Sequence, residues 1–125
     1  MKELVLKECK KCHALVKVLK DCDCEDCKIT CCKDPMVVVI PNSTDASVEK
    51  HTPTYTIEGN EIKIKIPHVM DEEHYMEWIL VKTKNQNIEK LLKPGEEATM
   101  VAPYEKGSII YTYCNKHGLW KKEVE

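Results

Sequence analysis

Five side chains that suit a transition metal are spread along the C-terminal two-thirds of the sequence. They are four histidines and one cysteine, namely His51, His68, His74, His117 and Cys114. Imidazole and thiolate ligands together favour iron, copper or zinc. Four His and one Cys exceed the four-ligand shell of a structural zinc and leave one position of an octahedron open, which is a geometry for redox chemistry at iron. A substrate would bind at that open position.

A second group of metal-ligand residues lies near the N-terminus. Seven of the eight cysteines fall between positions 9 and 32: Cys9, Cys12, Cys22, Cys24, Cys27, Cys31 and Cys32. The first residues, MKELVLKECKKC, lack the apolar core of a signal peptide, so we expect a cytoplasmic protein. In a reducing cytosol, clustered thiols act as metal ligands more often than as disulfides. The sequence therefore predicts a second metal site.

The composition argues against two classes of partner. The formal net charge is −2, and all 19 basic residues are lysine, so the bidentate contacts that arginine makes to phosphates and bases are missing. No apolar run approaches the roughly 20 residues that a membrane span requires. We therefore expect neither nucleic-acid binding nor membrane insertion.

The amino-acid composition changes near residue 36, from a segment rich in cysteine and lysine to short β-rich runs, and this change predicts two domains, 1–36 and 37–125. The first domain has too few apolar residues to be stable through burial alone, so we expect its cysteines to stabilise it by cross-linking the chain. The second contains short β-rich runs separated by turn residues: MVVVI (36–40), TYTI (54–57), EIKIKI (61–66), YMEWILVK (75–82), ATMVA (98–102), SIIYTY (108–113) and LWKKEV (119–124). NIEKLLK (87–93) is the only short helical candidate and fits a strand edge or turn better. This spacing predicts an all-β protein built on an antiparallel sandwich of about seven strands, with the histidines at strand ends or in loops.

Three segments resemble the signature segments of the superoxide reductases, a family also called neelaredoxins and desulfoferrodoxins. They are EKHTP (49–53), PHVMDEEHYMEWI (67–79) and CNKHGLW (114–120). The resemblance implies a seven-stranded immunoglobulin-like sandwich and the one-electron reduction of superoxide to hydrogen peroxide. It also implies a mononuclear iron with the four histidines as equatorial ligands and Cys114 as the axial thiolate, which tunes the iron.

Glu49 and Lys50 directly precede the ligand His51. Such a charged pair alone is usually an exposed loop, but its adjacency to His51 favours a role in the site. Superoxide is a small anion, so Lys50 is expected to attract it and to help order a proton-donating water. Glu49 resembles the family carboxylate that binds the sixth position of ferric iron after turnover.

The N-terminal cysteines resemble the desulforedoxin domain of two-iron members of this family, in which C-x2-C and C-C bind a tetrahedral iron. That resemblance implies Cys9, Cys12, Cys31 and Cys32 as ligands of iron or zinc, and His13 as a solvated neighbour. The gap before the C-C pair is lengthened here by DCDCEDC (21–27). On spacing alone, Cys9, Cys12, Cys24 and Cys27 would equally form a zinc-ribbon or rubredoxin-like site.

Two other functions stay open at this point. The chain could be an iron electron-transfer protein without catalytic turnover, or a zinc-bound scaffold. For the leading function, the resemblance implies rubredoxin or a similar carrier as electron donor, and a homodimer joined through the small domains.

Overall fold

A computed structural model describes residues 3–26 and 28–125 of the chain. The chain divides into two compact units, one that extends to Ile40 and one that runs from Pro41 to Glu125. No helix in the described ranges is long and apolar enough to cross a membrane.

The smaller unit is a set of very short strands. Its strands are β1 (Leu6–Glu8), β2 (Leu15–Lys17), β3 (Thr30–Cys31), β4 (Asp34–Pro35) and β5 (Val37–Val38). The first sheet has the order β2-β1-β5, and β3 and β4 form a separate hairpin. Only Leu6 and Cys9 are fully buried apolar residues among those described in this unit, while Leu19 is 84% exposed. So small a core is consistent with a unit that depends on metal for its stability.

The run MVVVI differs from its sequence-based prediction as a strand of the sandwich. Val37 and Val38 pair with Glu8 and Lys7 of β1, so this strand completes the sheet of the smaller unit. The physical reason is local, because the preceding β3–β4 hairpin returns the chain to β1, which still has an open edge.

The larger unit contains one short helix and seven strands. They are α1 (Val48–His51), β6 (Thr54–Glu58), β7 (Glu61–Lys65), β8 (Met76–Lys82), β9 (Asn87–Leu91), β10 (Thr99–Pro103), β11 (Ile109–Cys114) and β12 (Gly118–Glu123). They form a three-stranded sheet, β10-β7-β6, and a four-stranded sheet, β12-β11-β8-β9. Each pairing within these sheets is antiparallel.

The main core contains inward-facing residues of both sheets. Ile62 and Ile64 alternate with exposed lysines along β7, as the strict alternation of EIKIKI predicts. From the other sheet, Ile79, Val81 and Ile110 join the same buried cluster. The predicted all-β sandwich is therefore confirmed. NIEKLLK supplies the edge strand β9, and α1 was not anticipated because its four residues are too short to show a helical period.

Candidate metal centres

The five predicted ligands of the larger unit come from the ends of different elements. His51 is the last residue of α1, Cys114 is the last residue of β11, and His117 lies in the turn before β12. His68 follows β7, and His74 precedes β8. Their donor atoms, one from each residue, all lie within 4.8 Å of one another. The antiparallel strands thus bring residues up to 66 positions apart to one point.

The four imidazole rings are arranged around a common centre. Neighbouring rings have centroids 4.5 to 5.0 Å apart and interplanar angles of 66° to 90°. The four neighbouring pairs are His51–His68, His68–His74, His74–His117 and His117–His51. Across the ring, the His51 and His74 centroids are 6.4 Å apart. Cys114 Sγ lies 3.6 Å from His68 Nε2 and 3.8 Å from His117 Nδ1.

These distances fit a single metal ion. His51 Nε2 and His117 Nδ1 are 3.0 Å apart, which matches the separation of about 3.0 Å between adjacent nitrogens that each bind at about 2.1 Å and meet at a right angle. His74 Nε2 is buried and has no hydrogen-bond partner among the residues that the structure describes. A buried ring nitrogen without a partner carries a desolvation cost that a bound metal would remove. The donor set suits iron.

Backbone carbonyls orient two of the histidines. His51 Nδ1–H donates to Ser47 O at 2.6 Å, and His68 Nδ1–H donates to Val69 O at 2.5 Å. Because Nδ1 carries the proton in both rings, the Nε2 lone pairs are free to bind metal. Burial lowers the pKa of the His51 ring, and it lowers the pKa values of His68 and His74 as well. Neutral imidazole is the form that a metal requires.

These carbonyl contacts and the support that Trp120 gives were not predicted from the sequence. The Trp120 ring stacks on His51 at 4.9 Å, and its Nε1–H donates to His117 O at 3.2 Å. Ser47 is the N-cap of α1 and accepts from Lys50 N. A serine three residues before Lys50 is a recognisable capping signal, but which carbonyl faces His68 depends on the loop conformation.

Glu49 and Lys50 both lie exposed on α1, in the turn that ends at His51. Within residues 3–26 and 28–125, neither side chain forms an ion pair. The charge of Lys50 is therefore not neutralised by a direct partner in the described part of the chain.

In the smaller unit, four cysteine sulfurs converge. They are those of Cys9, Cys12, Cys31 and Cys32. Cys12 Sγ is 3.5 Å from Cys31 Sγ, which in turn is 3.9 Å from Cys32 Sγ. Sulfurs at about 2.3 Å from a tetrahedral metal would be about 3.8 Å apart. The group fits a tetrahedral thiolate metal site.

Two tight turns present these thiols. His13 N–H donates to Cys9 O, and Cys12 N–H points to Cys9 Sγ at 3.4 Å. Cys32 and Lys33 have φ of 52° and 68°, so they form the two-residue turn of the β3–β4 hairpin, a conformation in which both residues are left-handed. The Cys12 N–H lowers the pKa of Cys9 to about 7, and a hydrogen bond with Cys12 raises the pKa of Cys31 to about 12.

Among the residues that the structure describes, Cys22, Cys24 and His13 are not part of this group. Cys24 is a free, exposed thiol, and His13 is also exposed. Cys22 is disulfide-bonded, which differs from the expectation that the clustered thiols bind metal. Cys27 lies outside the described residues. Of the two sets that spacing left open, the structure brings together the one that contains the C-C pair.

Comparisons with known proteins agree on one family. The profile of the desulfoferrodoxin family matches residues 43–123. A desulfoferrodoxin of Syntrophotalea carbinolica is 32% identical over 97% of this chain and 97% of its own length. A desulfoferrodoxin homologue of Methanothermobacter thermautotrophicus is 36% identical over 74% of this chain and 79% of its own length.

A solved structure shows the same architecture. The crystal structure of the superoxide reductase from Treponema pallidum superimposes with a TM-score of 0.72 at 24% identity, covering 98% of this chain and 100% of the other. The chain thus has the fold of that superoxide reductase and carries two groups of side chains that could each hold a metal. The chain belongs to the desulfoferrodoxin family.

Proposed function

We propose that this protein is a superoxide reductase, which reduces superoxide by one electron to hydrogen peroxide at an iron held by His51, His68, His74, His117 and Cys114. The observation that carries the proposal is the ring of four imidazoles with a thiolate beside it, since five protein ligands leave one position for a small molecule. Family membership and the fold shared with a solved superoxide reductase support it.

Each turnover consumes one superoxide anion, one electron and two protons. Bound iron would supply the electron by passing from the ferrous to the ferric state. Lys50 attracts the anion and helps to order a water that donates the first proton, and the second proton comes from solvent. Glu49, in the same helical turn, would provide a carboxylate ligand for the position that the five protein ligands leave open, and so would help the product to leave.

Cys114 and the carbonyl-bound histidines prepare the site. The Cys114 thiolate donates electron density and so tunes the reducing power of the centre. Ser47 O and Val69 O hold the rings of His51 and His68 in the tautomer that binds metal. The Trp120 ring covers one face of His51 and limits water access there.

The smaller unit would hold a second iron, or a zinc, through Cys9, Cys12, Cys31 and Cys32 as a desulforedoxin-like domain. We further propose rubredoxin or a similar carrier as the electron donor, a homodimeric assembly and a cytoplasmic location.

A second function, electron transfer without turnover, is also consistent with two metal centres. The two functions differ in the open position, because a pure carrier has no need of a vacant ligand site or of an uncompensated lysine beside it. Pulse-generated superoxide mixed with reduced protein separates them. Rapid oxidation of the centre with one peroxide formed per superoxide supports a reductase, and a centre that stays reduced supports a carrier.

The assignment of Cys114 as a metal ligand has its own test. Cys114→Ser replaces the thiolate by a weak oxygen ligand, so we expect the thiolate-to-iron absorption band of the oxidised larger unit to disappear. Cys24→Ser, which removes an exposed thiol outside both ligand groups, is the matched control and should leave that band unchanged. A band that survives Cys114→Ser would show that another residue supplies the thiolate.

A further inference from the structure

Asn115 lies between the two ligands Cys114 and His117, and its side chain bonds to the backbone on both sides of a third ligand, His74. Its Nδ2–H donates to Glu73 O at 2.9 Å, and its Oδ1 accepts from Tyr75 N–H at 3.0 Å. The Asn115 backbone N–H also donates to Tyr75 O at 3.2 Å. Three hydrogen bonds from one residue therefore hold the backbone that carries His74.

His74 differs from the histidines that are fixed through their rings. His51 and His68 each donate a ring N–H to a backbone carbonyl. Within residues 3–26 and 28–125, the His74 ring has no such hydrogen bond, and its buried Nε2 has no partner. The position of this ring therefore depends on how its backbone is held. A turn in which Asp71 and His74 exchange backbone hydrogen bonds holds it from one side, and Asn115 holds it from the other.

The strand pairing shows why a side chain is needed here. In the pairing of β8 with β11, Tyr113 lies opposite Trp78, but the next residue, Cys114, lies opposite Met76. Glu77 is therefore an extra residue of β8 without a partner position on β11. Such a bulge interrupts the ladder and re-aims the residues next to it. Beyond the bulge, Oδ1 of Asn115 takes the place of a backbone carbonyl as the acceptor for Tyr75 N–H.

We propose that Asn115 is a positioning residue of the His4Cys centre, which fixes His74 relative to Cys114 and His117. The inference rests on the proposed metal-binding function and adds a residue that touches neither metal nor substrate. The Asn115 side-chain amide donates a hydrogen bond to Glu73 O and accepts one from Tyr75 N–H. A carboxylate can only accept, and an alkyl side chain can do neither.

The test measures iron retention rather than turnover. Iron-loaded wild type, Asn115→Ala and Asn115→Asp are challenged with increasing EDTA, and loss of metal is followed by the absorption band that Cys114→Ser abolishes and by iron analysis. We expect Asn115→Ala to weaken retention about 10- to 100-fold, the range for residues that orient metal ligands. Asn115→Asp keeps the acceptor but loses the donor, so an intermediate loss is expected. Asn87→Ala is the control, because Asn87 bonds to Lys82 Nζ at the other end of β8.

A double-mutant cycle separates positioning of His74 from a general loss of stability. In a His74→Ala background there is no imidazole left to position, so Asn115→Ala should add less than a twofold further loss of retention. A full additional loss in that background, or wild-type retention in Asn115→Ala and Asn115→Asp, would overturn the proposal. A protein that holds iron normally but does not react with superoxide would contradict the proposed function and leave this result standing.

Discussion

At the scale of single residues, Lys50 and Glu49 share one helical turn with His51. Their opposite charges would act on an anion in opposite ways, Lys50 by attraction and Glu49 by repulsion. Removing Lys50 takes away a local attractor that has no ion-pair partner in the described part of the chain. We expect Lys50→Ala to slow the reaction with superoxide about 3- to 10-fold, the Coulomb effect of one charge several ångströms away, and to flatten its salt dependence.

Glu49→Ala is the paired control for this prediction, because it removes a charge from the neighbouring position of the same turn. Because this charge is negative, we expect its loss not to slow the reaction and, by the same Coulomb effect, to raise the second-order rate slightly. Pulse-radiolysis rates at two ionic strengths for wild type and both variants measure the difference. An equal slowing in both variants would show that the two residues do not have separate roles.

Glu77, the extra residue at the bulge of β8, illustrates a cost of placing a charge beside the core. Burial raises the pKa of its carboxyl above the ordinary value. Because the pKa of Glu77 is higher in the folded than in the unfolded protein, the protonated side chain costs no stability below the unfolded-state pKa. As the pH rises through the folded-state pKa, the carboxyl ionises in its buried position and the free energy of unfolding falls. We therefore expect Glu77→Gln to raise the melting temperature at pH 7.

This gain should shrink as the pH approaches 4, where the wild-type carboxyl is also protonated. Thermal unfolding of metal-free protein between pH 4 and 7 measures it, and Glu123→Gln on the exposed end of β12 serves as the control. A gain that stays constant with pH would mean that the charge of Glu77 is not its source.

At the scale of elements, the N-terminal metal site combines a cysteine knuckle with a β-hairpin turn. Cys12 Sγ lies in van der Waals reach of Cys31 Sγ, while Cys24 is outside the four-sulfur group. We therefore expect Cys12→Ser to abolish stoichiometric metal in the smaller unit and Cys24→Ser to retain it. Metal analysis and the thiolate absorption of the tetrahedral centre measure both. Loss of that metal in Cys24→Ser alone would favour the alternative C-x2-C set.

How far the sequence predicts an element depends on whether its pattern is local. The alternation of Ile62, Ile64 and Ile66 is local, and it predicted β7 and its buried face. The run at Val37–Val38 is apolar throughout, and which sheet it joins is decided by the edge of β1 rather than by its own residues. For the same reason, motifs could predict which five side chains of the larger unit come together, whereas the contact of Asn115 with the backbone around His74 depends on a bulge that no local pattern marks.

At the scale of the whole molecule, exposed apolar surface is concentrated in the smaller unit. In addition to Leu19, the exposed apolar residues there are Val16, Ile29, Val37, Val38 and Ile40. A unit of some 40 residues gains much of its burial from association when its own core is this small. Such a surface favours a homodimer in which the smaller units meet.

We expect the full-length protein to be a dimer and a variant that lacks residues 1–40 to be a monomer that keeps its His4Cys iron. Leu19→Asp should weaken the dimer, because it places a charge in the apolar surface that the partner would cover. The control is Leu91→Asp at an equally exposed leucine of the larger unit, 77% accessible against 84% for Leu19. Light scattering over a range of concentrations measures all four proteins. A truncated variant that remains dimeric, or a dimer weakened equally by both substitutions, would place the contact between chains outside the smaller unit.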